Sequence, residues 1–227
     1  MVEPISPHRR GGFFVWGVDS GGVRVRFLGR GPELDREESL RRAAGPGPRV
    51  AALRQVHSAE VRPAAPGFCG RGDALVTSRP GLAPSVITAD CVPLLLASPA
   101  SVAAVHAGWR GIVAGVVSSA LARLDEPDRA AAWIGPAIGP CCYEVGPEVA
   151  DQVVAAAGPE VVRPGPGPRP HLDLRLAVAR QLAHRGVTRV HQVGPCTRCH
   201  PELLWSYRRD GERAGRNIAY IWRDGSP

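Results

Sequence analysis

The 227-residue chain contains no lysine; all 28 of its basic residues are arginine. Catalysis through a lysine Schiff base and a phosphate-loop lysine are therefore excluded. Also missing is any run near the roughly 18 to 20 apolar residues that a bilayer span requires. The first residues, MVEPISPHRRGG, set an acidic residue and a proline where a leader peptide needs a basic start and an apolar stretch. A soluble, cytoplasmic protein with no membrane partner is the expectation. No dense basic block appears, because the arginines are scattered. The formal charge of +7 thus gives no reason to expect nucleic acid and suits small anionic substrates equally well.

What is present fits an ordinary globular protein: 44% hydrophobic residues and 22% charged. One domain over residues 1–227 is the simplest organisation, with no internal repeat. The longest biased stretch, GPEVVRPGPGPRP at 158–170, reads as a surface loop, since the 57 residues after it are few for a second core. Six cysteines in a cytosolic chain read as thiols or metal ligands, not as a disulfide framework.

Hydrophobic periodicity predicts a helix over Gly111–Leu124, with Ile112, Val113, Val116, Val117, Ala120, Leu121 and Leu124 on its apolar stripe. A second is predicted over Leu172–Arg185, capped by Asp173 and ended by Gly186, and a shorter one after Pro147. Predicted strands are Val50–Val56, Ser85–Thr88, Val92–Ser98, Ser101–His106, Ala131–Ile138, Val190–Val193 and Asn217–Trp222. The class is mixed α and β: one domain of mixed sheets flanked by helices, with the active site at strand ends. Ser98-Pro99-Ala100-Ser101 is a turn signal that would make a hairpin of the two apolar runs beside it. With Ser98 opposite Ser101, Cys91 and His106 fall within about two residues of direct opposition, roughly 7 Å along a strand.

His57, Cys91 and His106 all occupy predicted strand ends. Imidazole and thiolate suit a borderline ion such as zinc, and a catalytic zinc needs three protein donors with a fourth position open. The same residues also permit Cys91 as a thiolate nucleophile with His106 as its base, which would require a group orienting the histidine. Cys196 and Cys199 form a C-x-x-C pair with His200 adjacent, half a zinc site or a redox pair. No second C-x-x-C exists, and the vicinal Cys141-Cys142 lacks normal ligand spacing. Packing near the pocket is the role expected of these four.

The ordered segments QVHSAEV, GDALVTS, TADCVPLLL, VHAGWRG, IGPAIGPCCYEVG, LDLRLAVARQL and CTRCHPELLWSYRRDGERAGRN, from about Arg49 onward, resemble the laccase-domain or polyphenol oxidase family. Its members are also called purine nucleoside phosphorylases and peptidoglycan editing factors. The resemblance implies a single α/β domain, with His57, Cys91 and His106 as ligands of one zinc per chain. It also implies phosphorolysis of adenosine, inosine, guanosine or methylthioadenosine, and deamination of adenosine. Purine nucleoside and phosphate are then the partners. For deamination Asp90 is the expected proton shuttle, and for phosphorolysis Arg110 and Arg216 are the expected phosphate forks. Gln55, Asp73, Thr77 and Tyr143 are candidate contacts to ribose or base, while Gly108, Gly111, Gly135 and Gly139 read as turn formers. Copper is not expected: the seven histidines include no His-x-His pair of the kind a multicopper oxidase uses. Two rivals remain: an amidase removing wrongly incorporated serine from a peptidoglycan precursor, with Cys91 as nucleophile, and a non-catalytic interaction protein.

Overall fold

The strand Val92–Ala97 is buried at every position because both faces of its sheet are covered. In the computed structural model, which describes residues 6–225, Leu94 and Leu96 pack toward a helical layer. Leu95 and Ala97, their alternates, pack toward a second sheet. The first five residues, part of the segment read as unlike a leader, and the last two lie outside the described residues.

One sheet runs in the order β1 (His8–Arg10), β2 (Phe13–Ser20), β3 (Val23–Leu28), β15 (Asn217–Arg223), β8 (Leu82–Thr88), β4 (Arg49–Arg54), β6 (Gly67–Arg71). The other runs β14 (Arg189–Gln192), β11 (Ala131–Ile134), β9 (Val92–Ala97), β10 (Val102–Ala107), β7 (Ala74–Thr77), β5 (Val61–Pro63), and β12 (Val162–Arg163) and β13 (His171–Leu172) form a small ribbon. Between the two sheets sits a core that includes Trp16, Val25 and Phe27 of the first and Leu95, Val102 and Trp133 of the second. Outside the second sheet pack α2 (Trp109–Val113), α3 (Val116–Leu121), α4 (Pro147–Ala157) and α5 (Leu174–His184). The other sheet carries α1 (Arg36–Ala44), and α6 (Tyr207–Asp210) lies before β15. The result is a mixed α/β fold in four layers, helix, sheet, sheet, helix.

The hairpin forms in the predicted register, Ala97 opposite Val102 through Val92 opposite Ala107. Its turn is held by Asp125, whose carboxylate accepts from the Ala100 N–H at 2.9 Å and from both serine hydroxyls. Asp173 caps α5 as expected, accepting from the Leu176 N–H at 2.9 Å. Two expectations are corrected. The single helix over Gly111–Leu124 is two short ones, because Gly115 takes φ 85 and breaks the ladder between α2 and α3. The strand predicted to reach Ile138 ends at Ile134, ahead of Gly135 and Pro136. Unforeseen are α1, capped by Asp35 on the Glu38 N–H, and the N-terminal strands, in which Arg26 is buried beside Asp19 at 2.5 Å. Among the described residues no helix is long and apolar enough to cross a membrane.

Candidate functional site

Asp73 starts the assembly. It stands just ahead of β7, its side chain wholly buried, and takes the Val56, His57 and Ser58 N–H groups at 3.2, 3.0 and 2.7 Å and the Ser58 hydroxyl at 2.8 Å. Three successive amides can converge on one carboxylate only if the chain coils, and His57 accordingly adopts φ 59. On its other side Asp73 meets His106 Nδ1 at 2.8 Å. Burial alone would raise the Asp73 carboxyl, but the bonds from His106 and Ser58 bring it down to about 2. With Nδ1 committed to that carboxylate, Nε2 is the ring atom of His106 left for the site.

His106 is buried at the end of β10, Cys91 is half-buried ahead of β9, and His57 is exposed after β4. One donor atom from each lies within 4.8 Å of the others, with Cys91 Sγ 3.8 Å from His57 Nε2 and the two rings edge-on at 4.8 Å. Burial raises the Cys91 thiol, yet His106 and His57 draw it down to about 6. Burial likewise lowers His106, but Asp73 and Cys91 lift it to about 9. Without a metal, the pair is thiolate and imidazolium at neutral pH. The donor set, one sulfur and two imidazole nitrogens with His57 facing solvent, fits a zinc ion with one position left open.

The second residue with positive φ outside glycine is Asp90, at 95°. Its carboxylate accepts from the Thr197 hydroxyl and the Arg208 N–H, both at 2.6 Å, and so anchors the turn that presents Cys91. Tyr143 stands nearby with Arg208 stacked at 5.1 Å. Burial and the neighbouring Cys91 push its phenol up to about 12, so it stays protonated. Arg110 is exposed on α2 with its guanidinium 4.4 Å over Trp109. Gly108 is not a turn former: its φ is −74, and a Cβ there would come within 2.9 Å of His57 Cδ2 and 3.0 Å of Cys91 Sγ.

Three residues expected as substrate contacts have their side chains engaged with the protein itself. Gln55 is clipped to Ile87, donating to its carbonyl at 2.7 Å and accepting its N–H at 2.9 Å. Thr77 sits at the far end of β7, about 10 Å along the strand from Ala74, where it receives the Arg79 N–H at 3.0 Å. Arg216 turns back on the Ala214 and Gly215 carbonyls at 2.6 and 3.0 Å. It lines a cleft of about 500 Å³ with Leu34, Arg36, Ile87, Trp205 and Ile218, and none of the three clustered donors reaches it. Arg208 and Thr197 were not foreseen, because a guanidinium and a hydroxyl in a loop carry no pattern of their own. The four loop cysteines, for which packing was expected ahead of half a zinc site or a redox pair, have their sulfurs within 4.8 Å of one another.

Comparison with known proteins adds to this geometry. Residues 34–224 match the family model described as multi-copper polyphenol oxidoreductase laccase, which takes in α1 as well as the motifs from Arg49 onward. A purine nucleoside phosphorylase of Pseudomonas aeruginosa is 44% identical over 178 residues, 75% of this chain and 72% of that protein. The Escherichia coli purine nucleoside phosphorylase YfiH is 38% identical over 176 residues, with the same coverage of 75% and 72%. The crystal structure of a Neisseria meningitidis protein of the DUF152 family superposes with a TM-score of 0.80 at 32% identity, covering 93% of this chain and 99% of that one.

Proposed function

The chain belongs to the family of multi-copper polyphenol oxidoreductase laccases, and on that premise we propose that it is a zinc-dependent purine nucleoside phosphorylase. Its proposed substrates are adenosine, inosine, guanosine and methylthioadenosine, with deamination of adenosine as a second activity. The relatives named purine nucleoside phosphorylase support the class of reaction. The observation that carries the reading is the meeting of His57, Cys91 and His106 at strand ends, with Asp73 fixed behind His106. A copper cluster is not proposed, because seven histidines without a His-x-His pair do not supply its ligands.

A bound ion would supply Lewis acidity at the position its three protein donors leave open. Around it, Arg110 and Arg208, whose charges both act on Tyr143, are the guanidinium groups that would hold phosphate. In phosphorolysis a phosphate oxygen bonds to C1′ of the ribose as the C1′–N9 bond breaks. The electron pair leaves with the purine, which takes up a proton, and in this reading the protonated Tyr143 phenol donates toward that leaving base. In deamination water is added at C6 and ammonia departs. Asp90, with both oxygens already accepting, acts in this reading by fixing the Cys91 turn and not by shuttling protons.

A second reading has its own support. Asp73 behind His106 is the orienting group that a cysteine nucleophile requires. In that case the Cys91 thiolate attacks the amide carbonyl, His106 protonates the departing serine nitrogen, and water releases the acyl group. Incubation with a nucleoside panel, with and without phosphate, and with a nucleotide-linked muramoyl-serine separates the two. Adenine released from adenosine only when phosphate is present supports the phosphorylase. Serine release by metal-free protein, with nucleosides untouched, overturns it.

A further inference from the structure

Away from the strand-end site, two loops bring four cysteines together. The first, Gly139 to Tyr143, follows β11; the second, Cys196 to Cys199, precedes α6. They are laid side by side by main-chain pairing: Ala137 bridges Cys196, and the Thr197 N–H donates to the Ala137 carbonyl at 3.0 Å. Because that pairing joins residues more than fifty positions apart, ligand spacing along the sequence could not display it. Cys199 Sγ lies 3.6 Å from Cys141 Sγ and 3.4 Å from Cys142 Sγ, and all four sulfurs are within 4.8 Å of one another. Four thiolates around one zinc at the usual Zn–S distance of about 2.3 Å have neighbouring sulfurs about 3.8 Å apart. The cysteines are already gathered on that scale.

One of the four sulfurs is held in place by the main chain. Cys196 Sγ accepts the Gly139 N–H at 3.2 Å. An amide turned on a sulfur in this way stabilises its anionic form and orients it. Gly139 approaches closely enough that a Cβ would come within 3.3 Å of Cys141 Sγ and 3.4 Å of Cys196 Cβ. Cys141 and Cys199 are exposed, which gives an ion its entry path, while Cys196 is buried. A disulfide accounts for this less well, since it uses two sulfurs and Cys199 stands almost equally near two partners.

We propose that Cys141, Cys142, Cys196 and Cys199 form a second metal site, a closed tetrathiolate that takes zinc and fastens the two loops together. Each thiol that ligates gives its proton to solvent, and no electron is transferred. With four protein donors the site leaves no open position, so its role is structural. What it fastens bears on the first site, because one loop carries Tyr143 and the other carries Thr197, which holds Asp90.

Metal content tests this independently of activity. Unaltered protein, purified under reductant, is expected to release about two zinc equivalents when its thiols are blocked with a mercurial. Protein bearing Cys91→Ala and His106→Ala is expected to keep about one, and its cobalt(II) form to show intense thiolate-to-metal charge-transfer absorption. Adding Cys199→Ser to that protein should abolish both, while Cys199→His, which can still ligate, should retain the ion. Loss of all zinc from the protein bearing Cys91→Ala and His106→Ala, while its circular dichroism stays unchanged, would overturn the proposal. So would peptide mapping that finds Cys199 in a disulfide with Cys141 or Cys142, which would make the cluster a redox pair.

Discussion

At the residue scale, Asp73 decides most. Fully buried, it gathers three amides, a hydroxyl and an imidazole, and so sets both the turn at His57 and the ring orientation of His106. Asp73→Asn keeps the shape but removes the charge and one acceptor. Zinc affinity at the strand-end site should fall about 10- to 100-fold, read by chelator competition; unchanged affinity would mean that Asp73 only shapes the loop. The neighbouring ion pair predicts a pH profile. In metal-free protein Cys91 is a thiolate above about 6 and His106 an imidazolium below about 9. The depressed thiol contributes stability that is lost as pH falls through about 6, and the raised imidazole contributes stability that is lost as pH rises through about 9. Alkylation of Cys91 in metal-stripped protein, followed by mass spectrometry of its peptide, should therefore show a midpoint near 6. A midpoint at the ordinary thiol value of 9.0 would show that the pair does not form.

Elements set how closely those residues meet. The hairpin β9–β10 aligns Cys91 with His106, and Gly108 at the start of α2 leaves room for the sulfur and the His57 ring. Gly108→Ala, whose φ any residue tolerates, is expected to lose about one metal equivalent while circular dichroism stays unchanged; full metal retention would show that the neighbours can yield. The central strands were legible in the sequence because β9 and β10, covered on both faces, read as apolar runs interrupted only by His106. Less legible were β2 and β3, whose exposed or charged alternates include Asp19, Arg24 and Arg26, and the break at Gly115, which the apolar stripe runs straight through. The His57, Cys91 and His106 grouping was visible from strand ends and motifs. The four-cysteine cluster was not, because its halves are joined only by tertiary pairing.

Across the whole molecule, the N-terminal strands matter more than the family match suggests. That match begins at residue 34, yet β2 and β3 lie before it and send Trp16, Val25 and Phe27 into the core between the sheets. β3 also covers one edge of β15 over six paired positions, from Leu28 opposite Ile218 to Val23 opposite Arg223. A chain starting at residue 34 should therefore be insoluble or unfolded, since it exposes both an apolar sheet face and an unpaired strand edge. A soluble truncated chain with the thermal midpoint of the full protein would refute this. The placement of β15 also governs when the protein can fold in the cell. This strand, far along the chain from β3, lies between β3 and β8 in the middle of its sheet. The β2–β3 hairpin, closed locally, must therefore wait for a partner strand distant in sequence. Until then its apolar face is open to chaperones, and native folding of that sheet finishes only once the two distant segments meet.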